Sequence, residues 1–227
     1  CALPIWIYVN PGHPDTRTNL HLHTGSAVEV VGRSASGGFA PSITGLTNGG
    51  IPEIRVLGEA APPKPILVTL GMNLFGGAEN AWVESRGVIR SVEPTGTEAY
   101  GDDRARLVLD TGNGRFRVML PGYPPGAALP ESLIDAEVQI RGVFGSVFND
   151  RRQLIGVQIL CPGMGFVTVE KPPPADAFTT PAASLEGLMQ FRSGPTPDHR
   201  VQVRGTVMLV RGTRGFFLGT VSNTIWV

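Results

Sequence analysis

Phe148, Arg151 and Arg152 fall within six residues, FNDRRQ (148–153), an aromatic ring beside two guanidiniums. That combination stacks a base or grips a phosphate. Arg115 and Arg117 alternate in RFRVML (115–120), so in a strand both emerge on one face. Arg214 and Phe216 form a similar group near the end of the chain, with Phe217 beside them. These positions are the candidate ligand-binding residues. Each also has a plainer reading. Surface loops carry paired arginines for solubility alone, and one of the two phenylalanines must face a core.

Other chemistries find less support. His21 and His23 alternate and could share a metal, but a third ligand is missing unless His13 folds back, so no metal is expected. Cys1 and Cys161 offer neither a disulfide framework nor a zinc cluster, and Cys161 reads as a buried structural thiol. Asp102, Asp103 and Asp150 are placed in loops, with nothing to tune them as an acid–base pair. The chain contains no GxxxxGK, no GxGxxG after a strand and no GxSxG elbow. The expectation is a non-catalytic protein without a cofactor.

Composition narrows the partners. The 19 basic and 19 acidic side chains cancel to zero formal charge, which disfavours a protein that coats nucleic acid. With 30 Gly and 20 Pro, the chain should form short strands joined by many turns. Its 41% hydrophobic content is enough for a buried core. No stretch approaches the roughly 18 to 20 apolar residues of a membrane helix, and no signal peptide is recognisable. The first residues, CALPI, read like a translated sequencing adapter. Residues 1–5 are therefore expected to be foreign, and the chain to be a fragment of a longer gene.

A phrase written four times organises the rest: VEVVG (28–32), VESRG (83–87), VQIRG (138–142) and VQVRG (201–205). Each alternates apolar and polar residues, as a half-buried strand does, and ends on a glycine that marks a bulge, bend or close backbone approach. Such self-similarity implies repeated units. We read 1–58 as the C-terminal part of a first unit and 66–170 as a complete one. Residues 183–227 then form the N-terminal part of a third. Proline-rich linkers at 59–65 (EAAPPKP) and 171–182 (KPPPADAFTTPA) separate them. In the complete unit, strands are expected at 82–92, 105–110, 115–120, from 138 and at 154–160. A last short strand follows near 166–169. TGNG (111–114) signals a tight hairpin. Short helices are expected at 70–75, 131–136 and, capped by Ser184, 185–191.

Five strands with a helical turn between the third and fourth is the order of the small oligonucleotide/oligosaccharide-binding (OB) barrel. Its long first strand must bend, which Gly87 and Gly205 permit. The fold class expected is therefore all-β: tandem OB-like five-stranded barrels with short connecting helices. A generic β-sandwich is the rival. OB barrels bind on the face of strands two and three, where Arg115 and Arg117 lie.

WVESRGVIRSVE (82–93), VQIRGVFGSVFNDRRQLIGVQILCP (138–162) and HRVQVRGTVMLVRGTRGFFL (199–218), with VEVVG and GGFAPSI (37–43), resemble a known segment. It is the tandem OB-like sensory region of large bacterial two-component sensor histidine kinases. The resemblance implies an extracytoplasmic input region of a membrane-anchored parent, with a homodimer among its arrangements. The partner would be a small ligand or another protein, not nucleic acid. The kinase's phosphoacceptor and ATP-binding segments are absent, so no catalytic residue carries over. A cytosolic nucleic-acid-binding OB protein and a rigid spacer are the alternatives.

Overall fold

The structure is a computed structural model describing residues 8–9, 21–36, 41–46, 51–69, 78–94, 103–121, 123–124, 126–149, 151, 153–189, 199–220 and 223–227. The expected helix at 70–75, the tip of the glycine-rich loop (37–40), His13, Asp102, Asp150 and Arg152 lie outside the described residues.

Strands dominate. In chain order they are β1 (Tyr8–Val9), β2 (Ser26–Val31), β3 (Arg33–Ala35), β4 (Ser42–Thr44), β5 (Glu53–Glu59), β6 (Ile66–Leu67), β7 (Trp82–Pro94) and β8 (Asp103–Asp110). They continue with β9 (Arg115–Pro121), β10 (Glu137–Phe148), β11 (Leu154–Leu160), β12 (Val167–Lys171), β13 (Thr206–Val210), β14 (Phe216–Gly219) and β15 (Thr224–Trp226). Helical segments are short: 3-10 turns at Glu131–Leu133, Met164–Phe166 and Ala177–Thr179, and the α-helix α1 (Leu185–Met189). Ser184 caps α1 as expected, its hydroxyl accepting the Gly187 N–H at 3.0 Å.

Five strands of the middle region pair in a closed ring, β7–β8–β9–β11–β10 and back to β7. Every pairing is antiparallel except β9 with β11. β7 and β10 are long because each serves its two ring neighbours in succession. Residues 82–88 of β7 pair with β10, and 88–94 pair with β8. On β10, 137–143 pair with β7 and 143–148 with β11. The changeovers fall at the glycines that end the repeated phrase. A Cβ on Gly142 would stand 2.5 Å from the Leu160 carbonyl oxygen, and one on Gly87 would collide with the Asp110 carbonyl. These glycines are the close approaches anticipated from their place in the phrase.

Alternation sends one side chain in two inward. Leu107 and Leu109 of β8, Phe116, Val118 and Leu120 of β9, Val138, Ile140 and Phe144 of β10, and Ile159 of β11 are all buried. Phe116 meets Phe144 edge to face at 6.3 Å, a favourable ring geometry. The 3-10 turn adds Leu133, and Ala136 follows it into the same core. This turn is shorter than the helical stretch expected over 131–136, because Ile134 is extended and Asp135 takes φ +75°.

The flanking strands repeat halves of this ring. β1 parallel to β4, β3 with β4 and β2 with β5 copy the pairings of β9–β11, β10–β11 and β10–β12. β13–β14–β15 copies β7–β8–β9. VQVRG was expected to open a strand, yet β13 begins only at Thr206, and residues 201–205 hold a single bridge, Gln202 to Ala182. In β7 the matching half-strand is fixed by β10, and among the described residues nothing takes that role beside 201–205. β5 and β12 also run one residue into the expected linkers, to Glu59 and Lys171.

Candidate ligand-binding face

Because Leu107, Leu109, Phe116 and Val118 point inward, their neighbours point out. The outer face of β8 and β9 carries Arg106, Val108, Arg115, Arg117 and Met119, and Gln158 of β11 stands in register with Arg117. The expected pair, Arg115 and Arg117, does share one exposed face.

Two of the three arginines are braced. Arg106 donates from Nε to Glu93 Oε2 at 3.1 Å and from its terminal nitrogen to the same oxygen, and Ser91 donates to Glu93 Oε1 at 3.1 Å. The Arg106 hydrogen bonds, then the Ser91 one, hold the Glu93 carboxyl below its ordinary range. Arg115 donates from Nε to Asp110 Oδ2 at 3.1 Å, and Asp110 is buried. Arg117 makes no hydrogen bond among the described residues, though its charge also acts on the Glu93 carboxylate; it stands between the two braced guanidiniums, opposite Val108. Arg106, Glu93 and Gln158 were missed in the sequence. Arg106 alternates with Leu107 in ARLVLD and was open to the same period-two argument as Arg117.

The β10–β11 turn lies at the end of the ring where β9 starts, since β9 and β11 run parallel. Asn149 organises it. Its Oδ1 accepts the N–H groups of Arg151 at 3.0 Å and Gln153 at 2.9 Å, and its Nδ2 donates to Gln153 Oε1 at 2.8 Å. Arg151, its N–H held by Asn149, is exposed, and Phe148 is half-buried at the end of β10. Arg214 and Phe216 belong to the separate β13–β15 sheet. Arg214 is exposed, and Phe216 exchanges backbone hydrogen bonds with Val227 at 2.9 Å. Phe217 packs on Trp226, ring centroids 4.9 Å apart. The described residues expected to bind thus fall into two groups in different parts of the chain.

His23 contacts Ser26 Oγ at 3.0 Å and Glu59 at 3.4 Å, and no metal-holding cluster occurs among the described residues. Cys161 is buried, its thiol donating to the Gly163 carbonyl at 3.3 Å. No described helix is long and apolar enough to cross a membrane. A scan of protein-family models finds no match to this chain, and a search of curated proteins finds none either.

Proposed function

We propose that the chain is a non-catalytic input region of a bacterial sensor histidine kinase. In this reading it is built of tandem OB-like barrels, is exported from the cytoplasm, and takes an acidic ligand or acidic partner segment on the outer face of β8 and β9. The observation that carries the binding role is Arg117, whose guanidinium makes no hydrogen bond among the described residues, between two braced arginines on the face of the ring's second and third strands. OB-like barrels bind at that place. The described outward side chains named on this face include no aromatic ring to stack a base, and two of its three arginines already face carboxylates. A small acidic ligand suits that surface better than a nucleic-acid strand. The kinase context rests on the resemblance of the repeated phrases. Ligand affinity that differs between two arrangements of the units would transmit the signal.

An NMR titration of the isotope-labelled chain with hexaglutamate tests the face. Amides of β8, β9 and β11 around Arg117 should shift, and Arg117→Ala should weaken binding by up to about fivefold, as loss of one exposed charge contact would. Shifts centred elsewhere would remove the Arg117 face as the site, and no shifts at all would leave the rigid-spacer reading. Tight oligothymidylate binding with a steep salt dependence would favour the nucleic-acid one. The kinase context is tested by sequencing the gene on both sides. An export signal upstream with a membrane helix and kinase core downstream supports it; an early stop codon with no export signal removes it.

A further inference from the structure

A cleft adjoins the residues that follow the 3-10 turn at Glu131–Leu133. Asp135 leaves that turn with φ +75°, and its side chain is only 4% exposed. Its Oδ1 accepts the Arg200 backbone N–H at 2.9 Å and faces His199 Nδ1 at 3.1 Å. Glu137, at the start of β10, accepts from Lys171 Nζ at 2.9 Å and lies 3.6 Å from His199 Nε2. These contacts join the segment at 199–200 to the middle ring. Between them and the proline-rich stretch after β12 is a cavity of about 420 Å³, walled by Pro172, Pro174 and Pro181.

The charges in this cleft are unevenly satisfied. Both carboxylates already have donors, and Lys171 is taken by Glu137. Arg200 also lines the cavity, is exposed, and its guanidinium has no hydrogen bond or ion pair among the described residues. A guanidinium offers parallel donors that fit a carboxylate, and proline rings offer a rigid apolar wall. The volume falls in the lower part of the usual range for small-ligand pockets, and a junction between units is a common place for one.

We propose that this cleft binds a small organic acid, its carboxylate on Arg200 and its compact apolar body against the proline rings. A cationic ligand of the same shape would meet Lys171 and Arg200 instead. Since the walls come from β10, β12, the proline-rich stretch and residues 199–200, a bound acid would tie residues 199–200 to the ring. The site is separate from the Arg117 face and does not depend on it.

Benzoate is the probe, with benzylamine as its cationic counterpart, both titrated into the full chain and followed by amide shifts. Benzoate should shift Lys171, Thr180 and Arg200, and benzylamine should not. Arg200→Ala should weaken benzoate at least about tenfold, the loss of a hydrogen bond to a charged group. Arg117→Ala should leave benzoate affinity unchanged. The proposal is overturned if benzoate fails to shift these amides by about 10 mM, a concentration that detects very weak binding. It is also overturned if benzylamine binds equally, if Arg200→Ala binds like the parent, or if the shifts centre on β8 and β9.

Discussion

Burial pushes the Cys161 thiol up to about 11. An unfolded thiol ionises near its ordinary value of about 8.5, so between the two values unfolding releases a proton that the folded state keeps. Stability is fully present below the lower value and falls as pH rises toward the higher one. Urea denaturation at about pH 8 and about pH 10.5 should show a loss near 2 kcal/mol attributable to this thiol. Cys161→Ala should remove that part of the slope. An equal slope in the variant would show that the thiol ionises as freely folded as unfolded. At this scale the sequence disclosed residue types and local alternation. Arg115 and Arg117 were legible because neighbouring positions in one strand suffice to place them. Glu93 bracing Arg106, thirteen residues away, was not, since it depends on the register between β7 and β8.

The elements depend on where backbones come closest. Gly142 sits where β10 changes partner, with the Leu160 carbonyl 2.5 Å from a would-be Cβ. Gly145, three residues on, would place its Cβ 3.6 Å from Gln158, an ordinary contact. Gly142→Ala should therefore destabilise the chain by about 1–3 kcal/mol, the usual result of overpacking, and Gly145→Ala much less. Denaturant midpoints of the two variants decide it; equal midpoints would mean the changeover tolerates a side chain. Strand positions were largely readable from period two, and β11 falls on the expected 154–160. The length of β10 was not, because its extra residues are held by partners on both edges. VQVR differs for the converse reason: the pattern of a strand is present at 201–204, but among the described residues only the single bridge from Gln202 to Ala182 holds it.

The whole molecule shows what closure achieves. Ile89, just after Gly87, is fully buried, whereas Val207, at the same distance after Gly205, is 50% exposed. Val138 is buried, whereas Val28, its counterpart in the repeated phrase, is exposed. The flanks repeat the pairings of half a ring and leave apolar side chains in solvent, while the middle region encloses them. Only the closed ring gives β8 and β9 a fixed outer face, so both the arrangement of Arg106, Arg115 and Arg117 and the binding role assigned to it depend on closure. Closure rests on β9 lying parallel to β11 and on β7 meeting β10. The most direct measurement is a set of NMR cross-relaxation contacts in the full chain. Backbone contacts should join Val118 to Ile159 and Ser85 to Ile140 in the same molecule. If β9 shows contacts to β8 alone, or β7 shows none to β10, the ring is open and the face as described does not exist.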